Sequence, residues 1–314
     1  MYAVQFDRFG PPGVLTVGPF PEPHAGPGQV RIRVRAAGVS PVDAALRAGL
    51  TPASQRITLP HVPGVDASGV IDEVGEGVTG AAIGDEVFGA VDVARLGGAS
   101  AEFAVLRFWA AKPPALSWEE AGAAGTSVET ATRALDALGV RAGTVLLAAV
   151  VAGGVGNACV QLTVARGARV IGTGRPESHG FIDRLGATPV TYGPGLPGRV
   201  GGLGRVDRAL DVAGAGSLPE LVAIAGTPAS VLTLADFAGP ELGVRLSLGE
   251  LGGEPDGRHG LAAAAALAGE GRFRVPLREV FPMTRAAEAH ALAAHGPRQG
   301  KIALTALPDS GDHR

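Results

Sequence analysis

The chain of 314 residues holds a single cysteine, Cys159. One thiol cannot build an internal disulfide framework, and it cannot furnish a cysteine-rich zinc site. Lysine is almost as scarce. Only Lys112 and Lys301 occur among 27 basic residues, so lysine-based chemistry has very few places to act. Long apolar runs are missing as well. Hydrophobic residues make up 46% of the chain, yet no run reaches the roughly 18–20 residues of a membrane-spanning helix, and the longest, around Thr144–Gly153, is about half that. The opening MYAVQFDRFG has no basic segment followed by an apolar one, so no secretory signal is expected. Positive charge is not in excess: 27 basic residues face 30 acidic ones, for a net charge of −3. That argues against the basic stripe of a nucleic-acid-binding protein. The expectation is a cytoplasmic protein that takes a small-molecule substrate and binds neither nucleic acid nor membrane.

What is present divides into zones. The length suggests about two domains. Residues 1–118 are rich in Val, Gly and Pro and carry short alternating stretches. In Gln29–Val39, Val30, Ile32 and Val34 alternate with Arg31, Arg33 and Arg35, the pattern of a half-buried strand. Further strands are predicted at Ala67–Val74, Glu86–Ala90 and Ala101–Leu106, which together describe a β-rich, barrel-like domain. Residues 119–250 alternate helix-like and strand-like segments, beginning with a helix at Trp118–Leu138 and a strand at Val145–Val151. Such alternation implies βαβ units and a parallel, doubly wound sheet, an α/β domain of the Rossmann type. Residues 251–314 open on a Gly-rich linker, LGGEPDGRHG, followed by two Ala-rich helices and a short strand at Lys301–Ala306. They are too few to fold alone and are expected to complete the first domain. The tail PDSGDHR is expected to fray.

The most informative stretch is AAVVAGGVGNACV at 148–160. Gly154 and Gly156 supply G-x-G, and Cys159 stands where a third small residue packs helix against strand. A strand precedes the turn and a helix follows it, so the N–H groups of Gly153, Gly154, Val155 and Gly156 are candidate contacts for a pyrophosphate, aided by the helix dipole. Cys159 itself reads as packing rather than as a nucleophile. The second strand ends in Thr173, Gly174 and Arg175 with no acid among them. An acid there meets the ribose hydroxyls of NAD, whereas an Arg accommodates the 2′-phosphate of NADP. The expected cofactor is therefore NADPH, with Glu177 keeping NAD open.

Six stretches in order, GVSPVDAALRAG, HVPGVDASGVIDEVGEGV, GDEVFG, AGGVGNACVQL, GARVIGT and QGKIALTAL, resemble the medium-chain dehydrogenase/reductase superfamily, within it the zinc-independent quinone-oxidoreductase-like branch. The resemblance runs over nearly the whole chain. It implies a GroES-like catalytic domain at 1–118, completed by 251–314, and a Rossmann nucleotide-binding domain at 119–250. Zinc-dependent members carry Cys where this chain has Ser40 and a His-Glu pair in the segment of Gly64–Asp66, so no metal is expected. His61 reads as structural. In the branch this chain resembles, a nicotinamide delivers hydride to the β-carbon of an enone or to a quinone, a hydrogen-bond donor stabilises the developing oxyanion, and a proton follows.

Carried over residue by residue, Ser40 stands for the family's Asn and Asp43 for its loop-holding acid. Thr130 stands for the threonine beside the nicotinamide. Ser40, Thr51 and Thr130 are the catalytic candidates. Tyr192 falls near the adenine side, Ala213 under the cofactor and Leu234 by the carboxamide, with Lys301 in the closing strand; all are cofactor-binding candidates. The departures are equally specific. Val150 replaces the first glycine of the family turn, and Ala152 its serine. Leu50 and Thr51 replace a tyrosine, and Glu129 sits beside Thr130 where a glutamate is unusual. Two functions follow: an NADPH-dependent reductase of a conjugated C=C bond or quinone, in one version within a biosynthetic pathway, or an NADP(H)-binding protein with little redox turnover, a sensor or structural element. A homodimer is expected along an edge strand at Gly243–Gly249.

Overall fold

In the computed structural model the described residues are 1–295 and 299–307. The expected fraying of the tail at 308–314 lies outside them. Two compact units divide the chain: Met1–Thr126 with Arg274 onward, and Ser127–Phe273.

The first unit contains β1 (Tyr2–Gln5), β2 (Thr16–Pro19), β3 (Val30–Val39), β4 (Asp66–Val74), β5 (Glu86–Val91) and β6 (Phe103–Ala111). Strands β3 to β6 form one sheet with Leu277–Pro282 and Lys301–Thr305 from the end of the chain, and β3 pairs with β6 as well as β4, curling the sheet towards a barrel. The alternation in β3 does what its sequence says. Val30, Ile32 and Val34 are buried in a core with Ile71, Leu106 and Leu304, while Arg31 and Arg33 lie over the ring of Phe103 at 4.9 and 4.8 Å. From Ala36 onward both faces of β3 are buried, and the strand Lys301–Thr305 runs antiparallel to that half, Ile302 opposite Val39. The return of the chain end thus pairs an edge of β3 that would otherwise leave its backbone groups open.

In the second unit β7 (Val145–Ala149), β8 (Arg169–Gly174), β9 (Thr188–Thr191), β10 (Arg208–Asp211), β11 (Val231–Thr233) and β12 (Arg245–Leu246) form a parallel sheet in the order β12-β11-β10-β7-β8-β9. The order reverses between β7 and β10, which is the doubly wound arrangement. Residues 146–149 are all buried, as befits a central strand covered on both faces. The helix Gly154–Ala165 packs on β7 and β8, and Leu218–Ala225 on β10 and β11.

Two expectations need revision. The helix predicted at Trp118–Leu138 is two helices, Trp118–Gly122 and Gly125–Ala137. The break is a close-packing requirement: a Cβ on Gly125 would sit 2.3 Å from the carbonyl oxygen of Gly89, and one on Gly122 would sit 2.7 Å from that of Ala36. From sequence, 251–273 belong with the first domain; in the structure they lie in the second unit. There the Gly257 N–H donates to Glu129 Oε1 at 3.0 Å, and His259 Nε2 lies 3.1 Å from Asp136. The strand Leu277–Pro282, which pairs parallel with Lys301–Thr305, had no alternation to announce it.

One buried ion pair ties the closing strand into the first unit. Lys301 Nζ lies 3.4 Å from Asp66 Oδ2, and both side chains are buried. Removing one partner of a buried pair leaves the other charge uncompensated, which costs about 3–5 kcal/mol. Lys301→Met is expected to lower unfolding free energy by about that amount. Chemical denaturation checks this, and an unchanged midpoint would show that the pair does not hold the strand.

Candidate functional site

The residues singled out from sequence fall into two groups, one in each unit. In the second unit, parallel register aligns the C-terminal ends of β7, β8, β10 and β11: Ala148 faces Gly172, Asp211 faces Ala149, and Thr233 faces Asp211. Gly153, Gly154, Val155, Gly156, Thr173, Gly174, Ala213 and Leu234 all lie on or just beyond these ends, at the edge where ligands of such sheets bind.

The turn after β7 is built under constraint. Val150 has φ +59°, left-handed backbone that costs a residue with a Cβ roughly 1–2 kcal/mol and that glycine adopts freely. The valine thus keeps the conformation of the glycine it replaces. Thr173 holds it there: its hydroxyl accepts the Val150 N–H at 2.9 Å, and its carbonyl accepts the Val151 N–H at 3.1 Å. Thr173 is fully buried, so its side chain is committed to the turn rather than facing a ligand. The helix Gly154–Ala165 then starts on Gly153, which offers no side-chain cap. The first N–H groups of a helix have no partner within it and favour an anion.

The two flanking glycines serve different ends. A Cβ on Gly156 would sit 2.4 Å from Val151 Cα, so this glycine lets the helix pack against its own turn. A Cβ on Gly153 would meet nothing within 4 Å, in open space over the helix start. An uncapped helix N-terminus with room above it fits the pyrophosphate of a dinucleotide. Cys159 is buried and its thiol is pushed up to about 12, chiefly by that burial, the setting of a packing residue.

At the ends of β8 and β9, Arg175 Nε donates to the Tyr192 hydroxyl at 3.1 Å, and both side chains are exposed. The two residues, 17 apart in sequence, form one polar pair at the position expected for the adenosine end of a dinucleotide. On the other side, Asp211 is fully buried. Its Oδ1 accepts the N–H groups of Ala213 and Gly214 at 3.3 and 3.1 Å, and its Oδ2 accepts the Thr233 hydroxyl at 2.8 Å. This pairing shapes the loops that carry Ala213 and Leu234.

Thr130 lies on the helix Gly125–Ala137 in a network that sequence reading did not assemble. Its hydroxyl donates to Glu129 Oε2 at 3.0 Å. Arg133 Nε donates to Glu129 Oε1 at 2.9 Å, and Arg133 also bonds the Ser247 hydroxyl. Ser247 in turn donates to Glu254 Oε2 at 2.8 Å. Glu129 faces inward and uses the Thr130 proton, so Thr130 presents a lone pair rather than a proton. The i,i+4 spacing of Glu129 and Arg133 was a visible signal; the contact with Ser247, 114 residues away, was not.

In the first unit, Ser40 precedes the helix Pro41–Arg47, and Asp43 accepts both its N–H and its hydroxyl on Oδ2 at 2.7 Å. Thr51 accepts the Ser54 N–H at 3.2 Å and caps a short turn. Lys301 is buried against Asp66, which also accepts the N–H and hydroxyl of Thr126 at 2.6 and 2.9 Å. His61 lies 3.0 Å from the Leu96 carbonyl and edge-on to Phe6, and burial pushes it below its usual pKa, a structural setting. Among the described residues no three His, Cys, Asp or Glu side chains gather as a metal site, and no helix is long and apolar enough to cross a membrane.

The chain matches the family model of the alcohol dehydrogenase GroES-like domain over residues 26–115 and that of zinc-binding dehydrogenases over 185–304. A quinone oxidoreductase of Rattus norvegicus is 37% identical over 199 residues, 60% of this chain and 58% of that protein, so the chain matches little more than half of that relative's length. The spectinabilin polyketide synthase system protein NorB of Streptomyces orinoci is 33% identical over 314 residues, 94% of this chain and 14% of that much larger protein. The solved structure of the quinone oxidoreductase from Coxiella burnetii superposes with a TM-score of 0.84 at 26% identity, covering 98% of this chain and 99% of that one.

The glycine turn yields a paired test. Gly153→Ala is expected to leave thermal stability within about 0.5 kcal/mol of the parent while weakening nucleotide binding at least tenfold. Gly156→Ala is expected to cost about 1–3 kcal/mol through overpacking. Calorimetric melting beside nucleotide titration reads both, and unaltered binding by Gly153→Ala would rule out a phosphate above that residue.

Proposed function

The chain belongs to the medium-chain dehydrogenase/reductase superfamily, in its quinone-oxidoreductase-like branch, and from that premise we propose that it is an NADPH-dependent reductase of a conjugated C=C bond or a quinone. The observation that carries this reading is the uncapped helix start at Gly153, open above and held at the switch point of the parallel sheet. The backbone N–H groups of Gly154, Val155 and Gly156 would bind the pyrophosphate. The loops shaped by Asp211 and Thr233 would bring Ala213 and Leu234 to the nicotinamide half. Thr130, whose hydroxyl donates to Glu129, suits acceptance of a hydrogen bond from the carboxamide. When bound, the reduced cofactor supplies the hydride.

The preference for NADPH rests on Arg175. Its exposed guanidinium, steadied by Tyr192, suits a 2′-phosphate, and no acid stands at the end of β8 to favour the free ribose hydroxyls. Independence from zinc is part of the same proposal, because Ser40 and the segment Gly64–Asp66, which has no His-Glu pair, stand where metal-binding members place ligands. So is a homodimer joined along β12, an outermost strand of its sheet, and a cytoplasmic setting. The relationship to NorB, named for a polyketide synthase system, supports a substrate drawn from a biosynthetic pathway.

Titration of the purified protein with NADPH and NADH, repeated on Arg175→Ala, tests the reading. NADPH is expected to bind at least tenfold more tightly, and the substitution is expected to erase that difference while leaving NADH unaffected. Binding of neither nucleotide would remove the reductase proposal; equal binding of both would remove only the assignment to Arg175.

A further inference from the structure

Arg175 and Tyr192 are both exposed and share one hydrogen bond. Two surface side chains joined that way lose rotamer freedom for a gain of similar size, so the pair does not fix its own geometry. Tyr192 also stands at the head of a yielding turn. Gly193 and Gly195 follow it with φ of +88° and +85°, conformations that glycine adopts freely while keeping many alternatives open. The helix after the turn, Leu196–Gly201, is six residues long and contains Pro197, Gly198 and Gly201, residues of low helix propensity. The turn therefore needs a side chain that ties it down.

Arg199 is that side chain. From the helix it reaches back over the turn, and each of its three nitrogens donates to a different carbonyl: Nε to Thr191 at 2.9 Å, Nη2 to Gly193 at 2.8 Å and Nη1 to Pro194 at 2.9 Å. The carbonyls on both sides of Tyr192 are thereby tied to one rigid plane. Leu196 and Val200 are buried and anchor the helix from which the guanidinium extends. The Thr191 hydroxyl lies 3.3 Å from His179 Nε2, at the start of the helix that follows Arg175. The whole arrangement belongs to the second unit.

The clamp presents a set of unspent donors. Arg175 uses only Nε, on the Tyr192 hydroxyl oxygen. Its two Nη groups and the Tyr192 O–H make no hydrogen bond among the described residues. A guanidinium fork beside a phenolic O–H suits the oxygens of one phosphate. Glu177 also acts on the charge of Arg175. A guanidinium released from Tyr192 has that carboxylate as an alternative partner, and one spent on a carboxylate has less to offer a phosphate.

We propose that Arg199 is a positioning residue for cofactor choice: by clamping the turn it holds Tyr192, and through Tyr192 it keeps Arg175 aimed at a 2′-phosphate. This rests on the reading of Arg175 above and extends it to a residue that acts without touching the nucleotide.

Binding of adenosine 2′,5′-bisphosphate and of adenosine 5′-monophosphate to the full chain tests the clamp, because the two probes differ only by the 2′-phosphate. The wild type is expected to favour the bisphosphate at least tenfold. Arg199→Ala is expected to reduce that preference about tenfold, with the monophosphate Kd unchanged. Arg199→Lys keeps the charge but cannot bridge three carbonyls, and it is expected to lose as much. Tyr192→Phe is expected to match them, and Arg199→Ala combined with Tyr192→Phe to lose no more than either alone, as for residues that act as one. Full preference in Arg199→Ala or Arg199→Lys, an equal loss of both probes, or additive losses in the double variant would overturn the clamp while the assignment to Arg175 stands. Equal binding of both probes by the wild type, or binding of neither, would overturn that assignment and the clamp with it.

Discussion

The first unit depends on a buried carboxylate. Asp66, at the start of β4, draws in the ammonium of Lys301 from 235 residues away and both donors of Thr126 from 60 away. A charge in such a place is tolerated only with its donors in position. Meeting that requirement fixes where the last strand of the chain lies and where the helix Gly125–Ala137 begins. It also sets the electrostatic surroundings of Asp43, because the one ammonium nearby is already engaged.

A comparable economy of donors governs the second unit. Thr173 spends both its hydroxyl and its carbonyl on holding Val150 and Val151 in the turn. That commitment offsets the strain of a β-branched residue in left-handed backbone, and it frees the helix start for an anion. Asp211 and Thr233 do the same for the loops on the other side of the switch point. The side chains nearest the expected ligand are thus mostly spent on shaping backbone, and backbone N–H groups remain to do the binding.

Glu129 shows how local chemistry changes a role without changing a fold. By accepting the Thr130 hydrogen bond and pairing with Arg133, it leaves that hydroxyl only its lone pairs to offer a further partner.

Much of this was legible in the order of residues. The period of two in β3, the strand–glycine–helix passage at 145–165 and the alternation of segments after it specify the β-rich and the doubly wound units, because these signals are local and depend only on which side chains must be buried. The small residues at 153–156 and the arginine at 175 are local signals of the same kind, and they fall at the C-terminal ends of β7 and β8. What only the tertiary structure decided were the partners. Lys301, read as a cofactor contact, is buried on Asp66; Thr173 faces the turn; Thr130 donates its hydroxyl hydrogen bond to Glu129; and 251–273 join the second unit through Gly257 and His259. Each of these rests on a hydrogen bond or ion pair between residues far apart in the chain, or on the direction a side chain takes within a local turn of helix. Neither leaves a periodic trace in a sequence. Composition determines what must be hidden, and the fold alone determines which buried polar group finds which donor.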